Sequence, residues 1–158
     1  MTQTRTFTVH AIAPERLAAI RADRADGHGN ALVPFAAGGG EPLRCCLRCA
    51  AVDESIALIS YAPFETPSPW REVGPVYVHA DHCDGYDTRS ELPTQLRTGP
   101  RLLRTYRADA TMNYEHNTLV ADGEDIEATV TALLAEPDVA RVHVRTVLPQ
   151  CFLYEITE

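Results

Sequence analysis

Residues 55–62, SIALISYA, are apolar on both faces, with Ile56 and Leu58 at one parity and Ala57 and Ile59 at the other. Side chains of a strand alternate with a period of two, so such a run needs cover above and below. The segment is therefore expected as a central strand, and the rest of the chain must supply its neighbours. LRCCLRCA at 43–50 is the nearest candidate, joined by the short link AVDE as in a hairpin. Further strand-like runs lie at 74–80, 101–107, 113–120, 139–147 and 152–157, with a turn at Leu148-Pro149-Gln150. RTFTVHAI at 5–12 alternates Phe7 and Val9 against Thr6, Thr8 and His10.

Two helical periods interrupt the strands. Pro14 suits a first turn, Leu17, Ala18, Ile20 and Arg21 follow at helical spacing, and Gly27 and Gly29 lie past the end. In the second, Asp122 is expected as the cap and Glu124, Asp125 and Glu127 favour the positive end of the helix. Ile126, Val130, Leu133 and Leu134 form its apolar stripe, and Pro137 stops it. Residues 26–42, with three successive glycines, are expected as a flexible loop, while Pro63, Pro67 and Pro69 keep 63–72 out of any ladder. The pattern predicts one α+β domain over 1–158, a mainly antiparallel sheet with two principal flanking helices.

Charge narrows the function classes. All 14 basic residues are arginine, which removes Schiff-base and P-loop lysine chemistry. A formal net charge of −8 opposes phosphate backbones and anionic lipid, so neither nucleic acid nor membrane is an expected partner. MTQTRTFTVHAIAPERL has no apolar core of signal-peptide length, and no apolar run reaches spanning length. The odd count of 5 cysteines favours free thiols and a cytoplasmic location over a disulfide framework.

The densest window is PSPWREVGPVYVHADHCD at 67–84, and part of it carries a family resemblance. Pro42-Leu43-Arg44 with Cys46-Leu47-Arg48, then Leu58-Ile59-Ser60-Tyr61, then Pro69-Trp70-Arg71-Glu72-x-Gly74-Pro75-Val76-Tyr77-Val78-His79 are its main elements. Leu103-Arg104-x-Tyr106, Pro137-x-Val139-x-x-Val142-His143-x-Arg145 and Cys151 extend it over nearly the whole chain. In these residues the chain resembles a bacterial family, domain of unknown function 1203 (DUF1203). Trp70 stands where that family's pattern leads one to expect tyrosine, and Gln150 where glycine is common. The resemblance implies a shared single-domain fold and a soluble bacterial protein. It implies no activity, so chemistry must come from the residues.

Four arrangements compete. Cys46 and Cys49 are formally CxxC, but in a strand they point to opposite faces, and Cys45 and Cys49 sit about 13 Å apart, which disfavours redox chemistry. His79 and Cys83, completed by His143 and Cys151, make a zinc alternative of Cys₂His₂ type, although no metal or other cofactor is the leading expectation. A nucleophile would be Cys83 or Cys151 beside His79, His82 or His143, with Cys151 favoured by Arg141, His143 and Arg145 across the final hairpin.

The preferred arrangement is non-covalent. Tyr77 and His79 on one strand face, and Arg141, His143 and Arg145 on another, are expected to line a cleft for a small polar or anionic metabolite. Arg44 and Arg104 add guanidiniums, and a rigid rim at 67–72 places Trp70. His79 or His143 would then supply proton transfer. A module that meets a protein partner through the central strands and the Trp70 loop is the alternative from another class. The sequence leaves oligomeric state open.

Overall fold

The computed structural model describes residues 6–158. Its elements run β1 (Thr8–His10), α1 (Pro14–Asp23), β2 (Phe35–Ala36), β3 (Ser55–Tyr61), β4 (Gly74–His79) and β5 (Arg101–Tyr106). A 3₁₀ turn at Tyr114–His116 leads to β6 (Thr118–Val120), α2 (Ile126–Leu134), β7 (Arg141–Arg145) and β8 (Phe152–Thr157). The strands form two antiparallel sheets, one in the order β1-β8-β7-β5-β6 and the other β2-β3-β4. The protein is thus an α+β domain dominated by sheet.

The larger sheet is pinned by its apolar stripes. On one face, Leu103, Val142 and Val144 pack against Ile126, Val130, Leu133 and Leu134 of α2, the same stripe the sequence displays. Removing each such side chain from water contributes about 1.5–3 kcal/mol, so α2 is held mainly by this face. Its cap is Asp125, whose carboxylate accepts from the Ala128 amide at 3.1 Å, rather than Asp122 three residues earlier. α1 buries Leu17 and Ile20 in a second cluster with Ile56, Ile59 and Val78. It closes at Arg24 in left-handed conformation, before the glycines.

β3 does occupy the centre of its sheet, between β2 and β4. Only one of its faces is fully covered: Ala57, Ile59 and Tyr61 are buried, whereas on the other Ile56 is buried and Leu58 exposed. The expected strand at 43–50 does not form. Leu47 adopts φ +58° and its amide donates to the Leu43 carbonyl, while the Arg44 amide donates to the Tyr77 carbonyl of β4. The segment is a tight turn held against β4, not a hairpin partner of β3. β2 lies inside the 26–42 stretch, and Asp26 anchors its start by accepting from the amides of His28, Asn30 and Ser60. Those bonds outweigh the cost of burial and hold the Asp26 carboxyl down at about 2.

Candidate functional site

Cross-strand neighbours project to the same side of a sheet. Arg104 pairs with His143 and Leu102 with Arg145, so Arg104, His143 and Arg145 share the face opposite α2. That face is turned toward the three-stranded sheet. Between them lies a cleft of about 470 Å³, walled by Tyr61, Pro63, Val73–Val76 and Phe152 and rimmed by Pro149, Gln150 and Cys151. The charged residues lining it are Arg104, Arg145 and Glu72.

Both arginines converge on one oxygen. Glu72 Oε2 accepts from Arg104 Nη1 at 2.6 Å and lies 2.9 Å from Arg145 Nη2. Gln150 holds the other prongs, its side-chain oxygen accepting from Arg104 Nη2 at 2.9 Å and its backbone oxygen from Arg145 Nη1 at 2.8 Å. Gln150 reaches them from φ +58°, in the left-handed region. Arg145 Nε is buried without a partner. Burial opposes ionisation of Glu72, but its bond to Arg104 and the two guanidinium charges prevail and hold the carboxyl below its usual range. The side chain of Glu72 remains 47% exposed.

Arg44 lies behind this wall, buried, donating to the carbonyls of Phe152 at 2.7 Å and Pro42 at 2.6 Å. No carboxylate pairs with it among the described residues. Burial draws its pKa down to about 10, partly offset by Cys151 and Tyr77 nearby. The cleft region therefore carries three guanidiniums against the Glu72 carboxylate.

His143 is enclosed instead of open to the cleft. It is fully buried, stacked on Phe64 at 4.9 Å between ring centroids and packed by Tyr106 and Phe152. Nε2 lies 2.7 Å from Glu155 Oε2, and Nδ1 is buried without a partner. Burial pushes its pKa down against the pull of Glu155, so the ring is neutral and donates from Nε2. Arg141 leans on the Phe64 ring at 5.4 Å and lies 3.7 Å from Glu155.

His79 belongs to another group at the far end of β4. Its Nδ1 lies 3.3 Å from Cys45 Sγ and 3.8 Å from Cys46 Sγ, and Cys83 closes the set. Cys45 and Cys46 act as a pair: the hydrogen bond between them raises the first thiol and lowers the second to about 6. The two histidines expected in one cleft thus serve different clusters, and His79 and Cys83 meet Cys45 and Cys46 rather than His143 and Cys151. Tyr77 packs edge-on against Phe35, and the Trp70 indole donates to Tyr114 Oη at 2.8 Å. Of the residues singled out in the sequence, Arg104, Arg145 and Cys151 reach the cleft wall.

Glu72 and Gln150 lack an assigned role in the sequence, although Glu72 lies in a stretch that carries the family resemblance and Gln150 marks a departure from it. An acidic residue between a proline-rich rim and a strand is a usable signal; its arginine partners, 32 and more residues away, are not.

Two antiparallel sheets with two helices, enclosing an arginine-lined cleft, define an α+β domain with a concave cationic site. The family model described as "Protein of unknown function (DUF1203)" matches residues 40–158, and the chain belongs to that family. That span contains the whole cleft and all five cysteines, and leaves β1, α1 and β2 outside it. No match was found among curated proteins or among solved structures.

Proposed function

We propose that the cleft between the sheets binds a small anionic metabolite through a carboxylate or phosphate group, with Arg104 and Arg145 as its anchors. The observation that carries this reading is the convergence of both guanidiniums on a single, half-exposed Glu72 oxygen. Planar guanidinium forks favour oxyanions, and this pair already holds one in the mouth of a cavity of small-ligand size. Glu72 acts as the internal occupant that a ligand oxyanion displaces toward solvent. Arg44, without a carboxylate of its own, adds favourable potential behind the wall.

The arrangement supports binding more than acid–base catalysis, because neither His79 nor His143 lines the cleft. Cys151 is the nucleophile-bearing side chain that does. Five free thiols fit a reducing, cytoplasmic setting, and the net charge fits a protein without nucleic-acid partners. No helix among the described residues is long and apolar enough to cross a membrane. The interaction-module alternative has less support, since the Trp70 indole nitrogen is already bound within the chain.

Calorimetry against a panel of dicarboxylates, phosphates and phosphomonoesters tests the reading. A binder is expected whose affinity falls about 10–100-fold in Arg104→Ala and Arg145→Ala, the loss of one charge-assisted contact each. Glu72→Gln is expected to bind more tightly, as the displaced group no longer carries charge. A panel without binders, or one indifferent to both arginine substitutions, overturns the proposal.

A further inference from the structure

The thiol–imidazole group at the end of β4 has no part in the cleft, yet its geometry is specific. Cys45 Sγ and Cys46 Sγ are 3.9 Å apart, and His79 Nδ1 lies 3.3 Å and 3.8 Å from them. Cys83 Sγ joins them, with all four atoms within 4.8 Å of one another. Zinc bonds of about 2.3 Å to thiolate and about 2.0–2.1 Å to imidazole imply tetrahedron edges of roughly 3.8 Å between sulfurs and roughly 3.5 Å from sulfur to nitrogen. Cys45, Cys46 and His79 already stand at about that spacing, and Cys83 lies within 4.8 Å of them.

The chain reaches this arrangement because 43–50 is a turn. Neighbours in a strand point to opposite faces, so Cys45 and Cys46 share a centre only where the backbone coils. The Leu47-to-Leu43 bond and the left-handed Leu47 make that coil, and the Arg44 amide ties it to β4. His79 is the last residue of β4, and its carbonyl is clamped by the Arg21 guanidinium of α1 at 3.1 Å. Ala80 is held by the Ser55 carbonyl, leaving Cys83 to fold back.

The surroundings are those of a ligand set. The His79 amide donates to Cys45 Sγ at 3.3 Å, the kind of bond that stabilises a thiolate. Ligation through Nδ1 requires the ring proton on Nε2; Glu54 Oε1 stands 3.5 Å from that nitrogen and can accept it, once Arg48 Nη2, at 3.2 Å from the same nitrogen, gives way. Glu54 is itself fixed by two bonds from Arg48 at 2.9 Å and 2.5 Å. Three soft sulfurs and an imidazole suit zinc and disfavour calcium or magnesium.

We propose that Cys45, Cys46, His79 and Cys83 bind one zinc ion in a closed structural site. Four protein ligands leave no open position, so the ion's role is to clip the 43–50 turn and the 80–84 segment to the end of β4. This site is separate from the anion cleft, and neither depends on the other.

Metal analysis of protein purified without chelator is expected to give one zinc per chain. Cys83→Ser and His79→Asn are expected to lose it, whereas Cys49→Ser and Cys151→Ser, outside the cluster, keep it. X-ray absorption of the unsubstituted protein covers variants that fail to fold, with a shell of three sulfurs and one nitrogen expected. Chelation is expected to lower Tm and to increase the number of rapidly labelled thiols. Protein that takes up neither zinc nor cobalt after thiol reduction overturns the proposal, as does a sulfur-free shell or a full zinc complement in both cluster variants.

Discussion

His143 and Arg145 lie two residues apart on the same face of β7, and each meets a carboxylate, yet the two pairs have opposite surroundings. His143 is sealed by Phe64, Tyr106 and Phe152 and its partner Glu155 is 21% exposed; Arg145 meets the 47% exposed Glu72 at the mouth of a cleft. Solvent access separates their consequences. A largely buried pair holds the fold together because losing one partner leaves the other short of water, whereas an open pair can exchange its partner for a ligand. The sharpest way to break this contrast is His143→Ala, which empties a ring-sized space among three aromatics and leaves Glu155 without its nearest partner. It is expected to cost about 3–5 kcal/mol in urea denaturation. Arg104→Ala, at the open end, is expected to cost about 1 kcal/mol or less while removing anion binding. Equal losses of stability would erase the distinction.

Acid separates the pairs next. Burial depresses the pKa of His143, and Glu155 is held low because its bond to His143 and the nearby positive charge prevail over burial. Both shifts act in the same direction. Folded-state values below the unfolded ones mean the unfolded chain takes up more protons, so stability present above about pH 6.5 is lost as pH falls through the lower native values. Tm is expected to decline steadily from about pH 6.5 toward pH 4. His143→Gln cannot take up that proton and keeps a donor for Glu155, so the upper part of the decline should flatten. Glu72→Gln should leave that upper part unchanged, since Glu72 titrates below its usual carboxylate range. A His143→Gln profile parallel to the parent's would place the acid sensitivity elsewhere.

The contrast also explains what the sequence could and could not disclose. Strand periodicity places Arg141, His143 and Arg145 on one face, and the pairing of β7 with β5 honours it, while against β8 the register shifts between Val144 and Arg145. Periodicity does not say what lies above that face. Phe64, which seals His143, comes from the proline-rich loop, and Glu72 from the same loop's end; loops have no period from which to read a partner. LRCCLRCA fails for a related reason. Its apolar and polar residues do fit a strand, but backbone bonds to Tyr77 and within the turn win, and they bring together two adjacent cysteines that a strand would separate. The stripe of α2 was fully legible because its cover is one contiguous sheet face.

Gln150 gives the finest test, because it belongs to the open pair through both side chain and backbone. At φ +58° a side chain costs about 1 kcal/mol that glycine does not. The residue also spends its amide oxygen on Arg104 Nη2, while its carbonyl serves Arg145. Gln150→Ala removes the amide and keeps the backbone strain; Gln150→Gly removes both and keeps the carbonyl. Glycine is therefore expected to be more stable than alanine by about 1 kcal/mol in urea denaturation. Both variants free one prong of Arg104, so both should bind an oxyanion a few-fold more tightly than the parent. If alanine and glycine are equally stable, the turn relaxes without strain. If neither changes affinity, Gln150 does not compete with the ligand, and Glu72 alone guards the cleft.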